Sequence, residues 1–61
     1  MTVEQYLNSN YVPEFRIITF INWKTQTLYD SRFTKYDVPG ILYYSIVENV
    51  YNENGMIEIE V

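Results

Sequence analysis

Four glutamates crowd the last stretch of this 61-residue chain: Glu48, Glu53, Glu58 and Glu60, the last two inside the alternating run "GMIEIEV". Paired carboxylates can do acid/base chemistry, hold a hard cation, or stand in for phosphates against a basic surface. The first use needs a pocket, and alternation places Glu58 and Glu60 together on an outward strand face. The second needs a dense ligand loop, which "NENG" does not supply. Histidine and cysteine are both absent, which excludes Ser-His and Cys-His nucleophiles and the usual zinc sites. With two glycines in all there is no phosphate-cradling loop. No catalytic residue, cofactor or metal ligand is therefore assigned, and the chain does not read as an enzyme.

The charges are segregated. Residues 1–35 carry a net charge of +1, with Arg16, Lys24, Arg32 and Lys35 as the only cations, whereas residues 36–61 carry -5 through Asp37, Glu48, Glu53, Glu58 and Glu60. Four cations placed around a first hairpin in an acidic protein are too few for a phosphate-binding stripe, so direct nucleic-acid binding is not expected. Seven tyrosines are interleaved with the acids. Tyrosine buries area while its hydroxyl stays wet, which suits an interface. The expected contact residues for a basic protein partner are Glu48, Glu53, Glu58 and Glu60 with Tyr43, Tyr44 and Tyr51 as anchors. The competing reading is that the acids only keep the chain soluble.

The elements that must position these groups follow from local pattern. Thr2 and Gln5 form a capping box, and Val3, Tyr6 and Leu7 share one face of a short helix over "TVEQYL". "EFRIITFINW" reads as a strand with large apolar groups on both faces. "KTQ" is a polar reversal without a glycine to fix its type, and "TLYDSRF" returns as the second strand. The segment around Pro39 is either a short helix to Tyr44, capped by Asp37 or Val38, or an irregular crossover. "SIVENVY" and "GMIEIEV" form a second hairpin around Asn54-Gly55. A two-residue loop sets Glu53 opposite Met56. A three-residue loop sets Asn52 opposite Met56 and Glu48 opposite Glu60, and is preferred because it puts Val47, Asn49 and Tyr51 with Ile57, Ile59 and Val61. Either way Ile57, Ile59 and Val61 face the core, and Met56, Glu58 and Glu60 face out.

The expected fold is α+β: one domain, residues 1–61, with one short N-terminal helix and a four-stranded, mainly antiparallel sheet made of two hairpins. One helix covers one sheet face, so Ile18 and Phe20, with Tyr29, are expected to form an exposed apolar patch or a homodimer contact. A chain this small buries only about 60% of its unfolded surface, which favours docking or oligomerisation. No apolar run reaches the roughly 18 residues of a membrane span, and "MTVEQYLNSN" has neither the basic nor the apolar region of a signal peptide. The expected location is cytoplasmic.

The stretches "MTVEQYL", "LYDSRF…YDVPGIL" and "NGMIEIEV" resemble very short acidic proteins of low-GC bacteria and their phages. The absence of alanine beside seven isoleucines, seven tyrosines and six asparagines fits an AT-rich genome. By size and charge the chain is similar to small phage anti-CRISPR-type inhibitors. That resemblance implies a phage or mobile-element product acting in the host cytoplasm on a basic defence nuclease such as a CRISPR effector. The alternative is a homo-oligomeric interaction module without inhibitory activity.

Overall fold

The computed structural model describes every residue except Lys35. That lysine, grouped above with the cations of the first hairpin, lies outside the described residues. Helix α1 spans Val3–Ser9 and opens as its sequence dictates. The Gln5 amide donates to the Thr2 hydroxyl at 3.2 Å, and the Thr2 amide donates to the Gln5 side-chain oxygen at 2.8 Å. Two amides that the first turn leaves unpaired are thereby satisfied. At the far end Asn10 Nδ2 donates to the Tyr6 carbonyl. Val3 is fully buried, and Tyr6 and Leu7 pack beside it.

Four strands follow: β1 (Phe15–Ile21), β2 (Lys24–Asp30), β3 (Asn49–Glu53) and β4 (Met56–Glu60), in the order β2-β1-β4-β3. The α+β architecture is as expected, with the refinement that the sheet is mixed. Each hairpin is antiparallel, and the two are joined by a parallel pairing of β1 with β4. The connection between hairpins contains a four-residue helix, α2 (Gly40–Tyr43), with Pro39 at its N-cap instead of Asp37 or Val38. Val3 and Val47 tie the N-terminus to this connection through backbone bonds to Ser45 and Met1. Ile17 and Ile59, neighbours across the parallel pair, bury completely with Val3. Ile57 and Val61 pack against this cluster as expected. Among the described residues no helix is long and apolar enough to cross a membrane.

Both hairpins close on two-residue turns with two consecutive left-handed residues, Asn22-Trp23 (φ 52° and 66°) and Asn54-Gly55 (φ 54° and 83°). This twist matches that of the flanking strands. Two expectations are corrected by it. The first reversal lies at Asn22-Trp23, and "KTQ" belongs to β2. In the second hairpin Glu53 stands opposite Met56, the register of the two-residue loop. The three-residue option rested on a uniformly apolar face, but β3 is an edge strand with all five residues exposed, so its apolar pattern has no burial to satisfy.

The outer face of the sheet, away from the helices, also differs from expectation. Ile18 is 1% exposed and is no surface patch; Phe20 is 45% exposed. Ile18 sits on a central strand between Thr27 and Glu60, and Tyr51 leans over this row to reach Glu60 with its hydroxyl. Tyr29 pairs with Ile17, so it lies on the helix-covered face, stacked on Phe15 with ring centroids 5.7 Å apart. A bulge between Ile17 and Ile18 leaves Leu28 unpaired on β2. Met56 points outward as expected but is only 8% exposed, because β4 is an interior strand.

Candidate protein-binding face

Cross-strand register builds the outer face as rows. One row reads Asp30, Arg16, Glu58, Tyr51 from β2 to β3; the next reads Thr27, Ile18, Glu60, Asn49. Arg16 stands between two carboxylates and pairs with Glu58, Nη2 to Oε2, at 2.8 Å. Glu58 is therefore a half-buried, neutralised group, which corrects the expectation of an exposed one. Glu60 is half-buried too. It accepts from the Tyr51 hydroxyl at 2.7 Å and from Asn49 Nδ2 at 3.3 Å. Asn49, not Glu48, stands across from Glu60, so the like-charge contact expected there is replaced by a hydrogen bond. The bond to Glu60 is the main reason the Tyr51 hydroxyl titrates above its ordinary range; burial and the charges of Glu60 and Glu58 act the same way.

Asp30 closes the row on β2. Its carboxylate accepts from Arg32 Nε, Nη2 and backbone N at 3.2, 3.1 and 2.9 Å. The Arg32 side-chain bonds hold its pKa below the ordinary 3.8 against the opposing effect of burial, with help from the Arg32 amide and the charges of Arg32 and Arg16. In the window between the lowered folded value and the ordinary one, the unfolded chain binds more protons, so stability rises with pH. The contribution is complete above about pH 4 and is lost as pH falls through the folded value. Urea titrations from pH 7 to pH 2 should show this acid slope in the wild type and a flatter one in Asp30→Asn. Equal slopes would show that the bond to Arg32 carries no stability.

The seven expected contact residues do not form one site. Tyr51, Glu53, Glu58 and Glu60 share the outer face. Glu48 is exposed beside it, its amide donating to the Glu60 carbonyl at 2.8 Å. Tyr43 and Tyr44 belong to α2 and its C-cap, where Tyr43 packs into the core and Tyr44 meets it edge-on at 5.6 Å. Between Tyr51, Glu53 and Glu58 on one side and Phe20 and Thr25 on the other runs a cleft of about 340 Å³ floored by Ile18. A second cleft, of about 450 Å³, opens on the helical side between Leu7, Phe15, Tyr29 and Tyr43. Two features went unread in the sequence. Arg16 was visible as a lone charge in an apolar strand, but its partner is set by the parallel pairing. Trp23 was assigned to a strand and is instead 98% exposed at a turn. Among the described residues no three acidic side chains converge on a point where a metal could bind.

No family model matches the chain, and no curated protein or solved structure is similar to it.

Proposed function

We propose that the chain is a small protein-binding module that presents its acidic β3–β4 hairpin to a basic protein surface, in the manner of a phage or mobile-element inhibitor of a host nuclease such as a CRISPR effector. One observation carries this reading: Glu53, Glu58 and Glu60 share with Tyr51 a sheet face that no described helix covers, Glu48 lies exposed beside it, and Glu58 alone of the four pairs with a cation among the described residues. Glu48, Glu53 and Glu60 supply the field. Tyr51 supplies apolar area with its hydroxyl already bonded. Exposed charges steer association and are screened over about 8–10 Å at ordinary salt.

The test uses Glu48→Gln/Glu53→Gln/Glu60→Gln, which spares the structural pair of Glu58. Purified CRISPR effector nucleases are assayed for binding and DNA cleavage with each form at low and high salt. The triple variant should keep its circular dichroism spectrum and bind roughly tenfold or more weakly at low salt, mainly through a slower on-rate, with the difference shrinking at high salt. A folded triple variant that binds and inhibits like wild type would overturn the acidic reading. The homo-oligomeric alternative is favoured by a different feature, the exposed apolar tip of the first hairpin.

A further inference from the structure

The sheet ends in two edges of different character. β2 begins with Lys24 and carries the unpaired Leu28 of its bulge. A lysine and a bulge are devices that keep another strand from adding to an edge. β3, with the sequence Asn-Val-Tyr-Asn-Glu, has neither. Its pairing with β4 runs from Asn49 to Glu53 without a register shift, all five residues are exposed, and no described strand lies beyond it. The two-residue turn fixes which backbone groups are free. It makes Glu53–Met56 a hydrogen-bonded pair, and bonded and non-bonded pairs then alternate along the ladder. Asn52 and Val50 therefore turn their amides and carbonyls away from β4, toward solvent.

The charges around this edge select what can join it. Glu48 stands at one end of β3 and Glu53 at the other, and Glu58 and Glu60 lie one strand further in on the outer face. Of these only Glu58 pairs with a cation among the described residues. Tyr51 lies between them, 41% exposed, with a ring that attracts cations. Alternation puts Asn49, Tyr51 and Glu53 on the outer face and Val50, 38% exposed, on the other. We propose that β3 binds the basic partner by strand addition, accepting an extended segment with a cation at every second position and β-branched residues between. The cations lie on the outer face beside Glu53 and Tyr51, and the intervening residues lie beside Val50. The main chain supplies affinity and the alternate side chains supply specificity. A second copy of the chain fits this edge poorly. Paired antiparallel about Tyr51, it would set each Glu53 against the other copy's Asn49 and next to its Glu48, gathering like charges at both ends.

Strand addition rests on the reading of a basic partner and specifies how that partner binds, so backbone and charge are tested separately. The probe is a blocked peptide in which arginine alternates with valine and threonine. The control peptide has the same composition with its arginines in one block. Wild type should bind the alternating peptide at least about tenfold more tightly than the control at low salt. Hydrogen exchange of the Val50 and Asn52 amides, followed by NMR, should slow on binding. A synthetic chain methylated on the Val50 amide nitrogen keeps every charge and every bond to β4 but loses one edge donor. It should retain its circular dichroism spectrum and bind the alternating peptide at least about tenfold more weakly than wild type. Equal binding of the two peptides, unchanged exchange of the two amides, or full binding by the methylated chain overturns strand addition. Each of these leaves the acidic reading standing if Glu48→Gln/Glu53→Gln/Glu60→Gln still weakens binding. An alternating peptide bound equally by wild type and the triple variant sinks the acidic reading and strand addition with it. A wild type that binds neither peptide also overturns strand addition. So does a concentration-dependent dimer that methylation of Val50 abolishes, which would give the edge to a second copy.

Discussion

Ile59→Ala should leave the chain largely unfolded at 25 °C. Ile59 is fully buried on an interior strand, beside Ile17 and under Val3, and among the described residues these three make up the fully buried cluster on the helical face. Isoleucine-to-alanine changes at such positions cost about 2–5 kcal/mol, because the cavity adds to the lost transfer energy. Domains are stabilised by roughly 0.05–0.15 kcal/mol per residue, so a chain of 61 residues has a margin comparable with that loss. Ile59→Val removes one methyl and should cost only about 1 kcal/mol, leaving a cooperative transition at lower urea. Ile41, 83% exposed on α2, is the control, and its alanine variant should stay within about 0.5 kcal/mol of wild type. Thermal and urea melts followed by circular dichroism decide the matter. A cooperative Ile59→Ala transition less than about 1 kcal/mol below wild type would mean that the core is centred elsewhere.

The parts of this fold that were readable in the sequence are those fixed by neighbours in the chain. Thr2 and Gln5 are three residues apart and form the capping box their types demand. The alternation of "MIEIE" sends Ile57 and Ile59 to one face and Glu58 and Glu60 to the other, whatever the register. The parts that were misread depend on a choice between local signals or on distant pairing. Asn22 suits the first turn, but Trp23 hides it, because tryptophan disfavours the left-handed backbone it adopts there. In the second hairpin the Asn-Gly turn outweighed the apolar count of β3, whose exposed edge gives that count no energy to act through. Glu58 looked like a free surface charge because its partner Arg16 comes from the other hairpin. The candidate site was visible as a set of acids with Tyr51. Its neutralised and free members became distinguishable only with the rows across the sheet, and Tyr43 and Tyr44 proved to belong to the helical side.

Arg16→Met should be the costliest single change among the charged side chains of the outer face, and the double variant Arg16→Met/Glu58→Met should be close to wild type. Arg16 and Glu58 side chains are 29% and 13% exposed, so the pair is partly withdrawn from water. A fully exposed pair would be worth at most about 1 kcal/mol. Removing Arg16 alone leaves the Glu58 carboxylate in a half-closed row with no cation, and it takes from Asp30 one of the charges that hold it ionised, though Arg32 remains. Stranding a buried charged acceptor raises the expected loss to about 2–3 kcal/mol. The pair is not ideal in itself, however. Arg16 Nε is buried without an acceptor among the described residues, a donor that water would satisfy in the unfolded chain. Replacing both partners by methionine removes that orphan and both desolvated charges together, so most of the single-variant loss should return. A double-mutant cycle in urea, with Glu58→Met as the fourth corner, should give a coupling above about 1 kcal/mol; a coupling below about 0.5 kcal/mol would reduce the pair to a surface contact. The same double variant separates architecture from recognition. It deletes one positive and one negative charge, so the net charge of -4 is unchanged and Glu48, Glu53 and Glu60 keep their places. If those three provide the field for a basic partner, the double variant should bind that partner as wild type does, whereas a large loss of binding in a folded double variant would make the Arg16–Glu58 pair itself part of the recognised surface.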